Sequence, residues 1–121
     1  MLKKLFHVFN LLLILLYLYP GSIFGYFLYK DLNRQPKLTP DYFSLSSNHF
    51  YIFLILSILG ILTFKNLRKL GIYLILISVL LELFHLLIPN RSFQFSDLFG
   101  NLIGVIIPLT FVMTYNLWRK K

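Results

Sequence analysis

The chain has 121 residues, of which 58% are hydrophobic and 13% are charged, and its mean hydropathy is +0.75. A soluble domain carries about a quarter charged residues, so this composition excludes an ordinary soluble enzyme and a disordered segment. The net charge is +8, but the basic residues stand at the ends of apolar segments, which favours a membrane over a nucleic acid as their partner. The sequence has no cysteine, which excludes disulfides and thiolate chemistry.

Four apolar segments follow one another, at residues 5–29, 47–64, 70–88 and 97–118. Each is within a few residues of the roughly 20 helical residues that cross a bilayer. The chain is therefore predicted to be a single all-α transmembrane domain, residues 1–121, built as a four-helix bundle. Pro20 and Gly21 interrupt the first segment, which predicts one long helix with a kink at this point.

Lysine and arginine are distributed unequally between the two sides of such a bundle. The N-terminus, residues 65–69 and the C-terminus together carry eight of them, whereas the connections at residues 30–48 and 89–96 carry four. The positive-inside rule then places both termini in the cytoplasm. We expect a multi-pass protein of a cell membrane, surrounded by membrane lipids.

Ionisable side chains are rare in the apolar segments. Glu82 and His85 lie in the third segment, Asp97 begins the fourth, and His49 stands near the head of the second. A charged side chain at the bilayer centre costs at least ~2.5–3.5 kcal/mol, so such residues are usually paired and face the interior of a bundle. They are therefore the candidate functional residues.

Their spacing places these residues on matching helical stripes. Steps of three and four align Glu82 with His85 on the third segment and Asp97 with Asn101 on the fourth. Because the connection between the two segments is short, they are predicted to form an antiparallel hairpin with Arg91 above both stripes. We expect these five residues to form one polar cluster near the outer surface of the membrane.

The same region resembles the signature of VanZ-like membrane proteins, which reads roughly E-x-x-[QH]-x-x-x-P-x-R-x-x-x-x-x-D-x-x-x-N-x-x-G. Seven residues match it in register: Glu82, His85, Pro89, Arg91, Asp97, Asn101 and Gly104. The family also has an earlier D-K-x-x-H-F element, of which His49 and Phe50 match the end, whereas Leu45 and Ser46 replace the Asp-Lys pair.

The resemblance implies an integral protein of the bacterial cytoplasmic membrane, in a family named for teicoplanin (glycopeptide) resistance. In one interpretation, the site binds, or also processes, a lipid-linked phosphate or a cell-wall precursor at the outer face. Glu82 or His85 then acts as general acid or base, although no nucleophile accompanies them and enzymatic activity is left open. The residues expected to contact the ligand are Arg91, Asp97, Asn101 and His49.

The alternative interpretation is a non-catalytic structural or accessory membrane protein, in which the polar cluster only stabilises the helix bundle. Under either interpretation we expect no metal and no other cofactor, because the spacing of the histidines and carboxylates is not diagnostic of a metal site. Gly100 and Gly104 form a G-x-x-x-G pair, as do Gly21 and Gly25. The pairs favour ordinary helix packing, and they leave a homo-oligomer open.

Overall fold

The computed structural model describes all 121 residues and contains five α-helices and no β-strand, which confirms the predicted all-α fold class. The helices are α1 (Leu2–Leu18), α2 (Ile23–Tyr29), α3 (Ser47–Thr63), α4 (Leu67–Phe84) and α5 (Phe95–Arg119).

Helices α1, α3, α4 and α5 form a bundle in which consecutive long helices alternate in direction. Phe6 at the start of α1 packs on Phe64 at the end of α3, and Tyr17 at the end of α1 packs on His49 at the start of α3. The most extensive contact joins α3 to α5, and α4 and α1 pack beside this pair. The core between the helices is apolar over most of its length and includes Phe53, Leu56, Leu74 and Val105.

Glycines allow the backbones of α3 and α5 to approach each other closely. A Cβ atom built on Gly100 would lie 2.7 Å from the carbonyl oxygen of Ser46, and one on Gly104 would lie 2.6 Å from that of Phe50. Because both clashes involve backbone atoms, a side chain at either position would separate the helices. This pair therefore serves helix packing within the chain.

The first apolar segment contains a break rather than a kink. Residues 19–22 are not helical, and α2 is inclined at 76° to α1. The predicted disruption at Pro20 and Gly21 is thus present, but the prediction of one helix over residues 5–29 is wrong. Gly21 has a φ of +128°, a conformation that side-chain-bearing residues rarely adopt, so the chain turns sharply here.

The third segment also differs from its prediction, because α4 ends at Phe84 and not at residue 88. The next residues form tight turns in which the N–H groups of His85 and Leu86 bond carbonyls three residues back. Pro89 disfavours helical conformation in the residue before it. His85 therefore lies at the helix terminus, where its ring turns toward α1.

Only α5 is by itself long and apolar enough to cross a membrane. Helices α1 and α2 meet the same criterion together, as a bent pair, and α3 is apolar but has 17 residues. Helix α4 has 18 residues, three of which are charged: Arg68, Lys69 and Glu82.

Candidate functional site

Buried polar side chains collect at one end of the bundle, where the C-terminal ends of α1 and α4 meet the N-terminal ends of α3 and α5. Five of them are at most 7% exposed, and the sixth, Asp97, lies at the edge with 18% of its side chain exposed. We call this group the polar cluster; it consists of Tyr17, His49, Glu82, His85, Asp97 and Asn101.

Three members of the polar cluster form a hydrogen-bonded triangle. The Asn101 side chain donates its N–H to the carbonyl oxygen of Ser78, at 3.2 Å, which directs its Oδ1 atom toward Tyr17 and His49. The Tyr17 hydroxyl donates to this Oδ1 at 2.8 Å. Nδ1 of His49 lies 3.0 Å from the same oxygen and 2.9 Å from the Tyr17 hydroxyl oxygen. Because an amide oxygen only accepts, Nδ1 of His49 carries the hydrogen.

This arrangement directs the other ring nitrogen of His49 toward Asp97. The distance from Nε2 to Oδ2 of Asp97 is 3.6 Å. The close packing of Gly100 on the start of α3 brings the two side chains together, and the N–H of Ser46 donates to the carbonyl oxygen of Ser96, at 3.0 Å, on the same side.

Glu82 is fully buried and belongs to the same cluster. Its Oε1 atom accepts the backbone N–H of Gln94 at 3.0 Å, which fastens the start of α5 to α4. Its Oε2 atom lies 3.3 Å from Nδ1 of His85 but accepts no hydrogen bond. Nε2 of His85 donates to the carbonyl oxygen of Tyr17 at 3.0 Å, so the histidine links α4 to the end of α1.

Arg91 lies beside the polar cluster, and its hydrogen bonds reach across to the end of α1 and to the break that follows it. Nε donates to the carbonyl oxygen of Tyr19 at 3.1 Å, and Nη2 donates to those of Leu16, at 3.1 Å, and Gly21, at 2.6 Å. These contacts satisfy carbonyl groups that the break leaves without helical partners. Burial disfavours the charged form and lowers the pKa of Arg91 from its ordinary value, against the opposing effect of nearby acidic groups.

A polar cleft of about 190 Å³ reaches the cluster from the end of the bundle. A second cavity, of about 80 Å³, lies next to it between α1, α2 and α3 and touches Tyr17 and His49. His85 and Arg91 line both spaces, whereas the fully buried Glu82 and Asn101 line neither. The polar residues that line the cleft include Asn33, Gln35, His85, Arg91, Gln94 and Asp97.

The structure brings four of the five residues predicted to cluster into direct proximity: Glu82, His85, Asp97 and Asn101. The fifth, Arg91, shares the cleft with them, but it bonds α1 rather than lying over the two stripes. His49, which the sequence placed at the head of the second segment, is a full member. The cluster therefore spans four helices, whereas the sequence predicted a hairpin of two.

Tyr17 is the member of the cluster that sequence reasoning missed. It stands in an apolar stretch next to Tyr19, where a tyrosine is typical of a membrane interface and carries no further signal. Its role depends on Asn101, 84 positions along the chain, and local spacing does not predict such a contact.

An acidic and basic pair does stand before α3, although it is out of register with the VanZ-like element. Nζ of Lys37 donates to Oδ2 of Asp41 at 2.7 Å. Oδ1 of Asp41 accepts the backbone N–H of Ser47 at 3.2 Å, which caps the start of α3. The hydrogen bond from Lys37 lowers the pKa of Asp41 from its ordinary value.

Comparison of the chain with protein-family models, with curated proteins and with solved structures finds no match. The resemblance to VanZ-like proteins therefore rests on the seven motif residues and on His49 and Phe50.

Proposed function

We propose that this chain is an integral membrane protein in which α1, α3, α4 and α5 each cross the bilayer. The observation that carries the proposal is the distribution of polarity. Only 27 of the 121 residues are buried, and large apolar side chains cover the outward faces of all four helices. Soluble monomers rarely expose apolar surface on this scale, because water does not stabilise it. Lipid is the solvent that suits this surface.

Helix lengths agree with this arrangement. At 1.5 Å per residue, α1, α3 and α4 are each about 26 Å long, slightly less than a hydrocarbon core of ~30 Å, and local thinning accommodates such a mismatch. Arg68 and Lys69 stand in the first turn of α4, where long basic side chains reach the membrane surface. The apolar residues Phe24, Phe27 and Leu28 are exposed on α2, which favours a helix lying in the membrane interface.

The positive charges support an orientation. Lys3 and Lys4 lie in the first turn of α1, Lys65 precedes α4, and Arg119 to Lys121 stand at the end of α5. These residues are therefore at the bundle end opposite the polar cluster. With this end in the cytoplasm, the cleft opens at the outer face of the membrane.

For the cleft, we propose a small anionic ligand of the cell envelope: the phosphate of a lipid headgroup, or a lipid-linked cell-wall precursor. Arg91 supports this class of ligand. Its Nε and Nη2 atoms bond carbonyls at the end of α1 and in the break after it, whereas Nη1 makes no hydrogen bond and the guanidinium lines the cleft. If the ligand is processed, His85 and Glu82 are the acid–base candidates. The VanZ-like motif adds to this proposal, since three of its residues, His85, Arg91 and Asp97, line the cleft.

A specific observation also favours the alternative, structural function. The hydrogen bonds of the polar cluster join α1 to α3, α4 and α5, so the cluster stabilises the bundle whether or not a ligand binds. In this case the cleft binds no ligand, and the only function of the polar cluster is to hold the four helices together.

Native mass spectrometry of the detergent-purified chain tests the ligand proposal. We expect a co-purifying anionic lipid that is retained by Arg68→Gln, a variant at the opposite end, and reduced at least about tenfold in Arg91→Gln. Absence of a bound lipid from the wild type, or equal retention by both variants, would contradict the proposal.

Glu82→Gln separates the two candidate functions without removing a hydrogen-bonding side chain. It keeps an oxygen that can accept the N–H of Gln94 and removes the charge. The ligand-binding function predicts normal abundance and thermal stability in detergent together with reduced lipid retention. The structural function predicts that abundance and stability fall while any bound lipid is unaffected per folded molecule.

A further inference from the structure

Three side chains from three different helices converge within the polar cluster. His49 of α3, Glu82 of α4 and Asp97 of α5 each contribute one nitrogen or oxygen atom to a group whose members all lie within 4.8 Å of one another. Since the three residues come from separate helices, no local spacing in the sequence predicts this group.

The hydrogen-bond directions leave a lone pair of His49 facing a carboxylate. Nδ1 carries the hydrogen because it lies against the Asn101 oxygen, so in a neutral ring Nε2 is unprotonated. It faces Oδ2 of Asp97 at 3.6 Å. Two acceptors do not bond each other, whereas both coordinate a cation. Donors around a tetrahedral Zn²⁺ with bonds of ~2.0–2.2 Å lie roughly 3.3–3.6 Å apart, which fits this separation.

Glu82 provides an independent indication, because one of its carboxylate oxygens accepts no hydrogen bond. Its side chain is 0% exposed, and its Oε2 atom accepts no hydrogen bond. A buried polar atom without a partner costs free energy, and the cost is larger for a charged group. Nδ1 of His85 lies 3.3 Å from Oε2, but because Nε2 of that ring donates to Tyr17, Nδ1 of a neutral ring has no hydrogen to donate. A cation beside Oε2 would bond the oxygen directly.

We propose that His49, Glu82 and Asp97 bind a divalent transition-metal ion of the Zn²⁺ type. An imidazole among the ligands favours such an ion over Mg²⁺ or Ca²⁺, which prefer oxygen ligands and more of them. Asp97 lines the cleft, so a fourth coordination position is open to water or to a ligand from that side. Asn101 orients His49 from behind, as an outer partner of a metal-bound histidine does.

The site is argued from the polar cluster alone and does not depend on the ligand proposed for the cleft. Binding is tested on the full chain, purified in detergent and stripped with a chelator, by titration with Zn²⁺ and by the visible absorption of bound Co²⁺. We expect one ion per chain. Asp97→Asn and His49→Gln should each weaken Zn²⁺ binding at least about tenfold.

Matched controls come from an exposed aspartate and an exposed histidine outside the cluster. Asp31→Asn and His7→Gln remove the same chemical groups and should bind Zn²⁺ as the wild type does. The wild type itself gives a readout that needs no variant, since a bound ion raises the thermal unfolding temperature. A wild type that neither retains Zn²⁺ nor is stabilised by it would overturn the site, as would unchanged binding in both ligand variants. The polar cluster would then be a hydrogen-bonded network without a metal ion.

Discussion

At the scale of single residues, the geometry of the polar cluster depends on which atoms donate and which accept in a few hydrogen bonds. The amide of Asn101 is fixed by Ser78, and this contact determines which atom Tyr17 and His49 meet. The ring of His49 is therefore oriented from the side away from Asp97. A buried network of this kind is stable only when each member has its partners, which makes every member sensitive to substitution.

The first prediction concerns Tyr17→Phe, which removes the hydroxyl that donates to Asn101 and keeps the buried ring. We expect a loss of about 1 kcal/mol in the free energy of unfolding, because one buried hydrogen bond is lost. Tyr26→Phe is the control, since Tyr26 is exposed on α2 and should change little. Thermal unfolding in detergent measures both. Equal stability of the two variants would show that the Tyr17 hydroxyl contributes nothing.

The second prediction is a pH dependence at Asp41, outside the helices. The folded-state pKa is lowered, first by the hydrogen bond from Lys37, so the ionised carboxylate stabilises the fold above its unfolded-state pKa. This contribution is lost as the pH falls through the folded-state pKa. Between about pH 5 and about pH 3, the unfolding temperature of the wild type should therefore fall more steeply than that of Asp41→Asn. Parallel curves would exclude the contribution.

At the scale of helices, the hydrophobic pattern determines where most helices lie, whereas long-range contacts determine how the first apolar segment is divided. The positions of α3 and α5 follow from apolar runs bounded by polar residues, and the sequence predicts them to within a few residues. The separation of α1 from α2 involves a contact that no local pattern contains, since Arg91 bonds Leu16 and Gly21 from more than 65 positions away. The end of α4 was predicted too late because the apolar run continues to residue 88, whereas the backbone already forms tight turns from His85 onward, ahead of Pro89.

The third prediction compares two helical glycines. A Cβ on Gly104 would lie 2.6 Å from the backbone oxygen of Phe50, whereas one on Gly71 would lie 3.3 Å from the flexible end of Leu109. Gly104→Ala should destabilise the protein by about 1–3 kcal/mol, because α3 and α5 must separate. Gly71→Ala should be neutral or stabilising, because alanine favours helix. Thermal unfolding in detergent measures the difference, and its absence would mean that the α3–α5 contact is looser than described.

At the scale of the whole molecule, apolar side chains cover the outside of the bundle and polar side chains are buried at one end of its interior. The outer faces of the long helices are apolar, and one end of the interior holds two histidines, two carboxylates and an asparagine. The sequence predicted four of the cluster residues because helical spacing brought them into register on two segments, and it predicted His49 from its position at the head of the second segment. It did not predict Tyr17 or the joining of four helices, since these depend on which helices are neighbours in the bundle.

The central claim is that this polar end opens at the outer face of a membrane, and cysteine labelling tests it most directly because the chain contains no cysteine. Ser92→Cys reports the cleft; Asn90 is avoided because its φ of +61° suits asparagine better than cysteine. Asn66→Cys reports the opposite end. In intact cells, a membrane-impermeant maleimide should label Ser92→Cys and should label Asn66→Cys only after lysis. Labelling of Asn66→Cys in intact cells, or protection of Ser92→Cys until lysis, would contradict the proposed orientation.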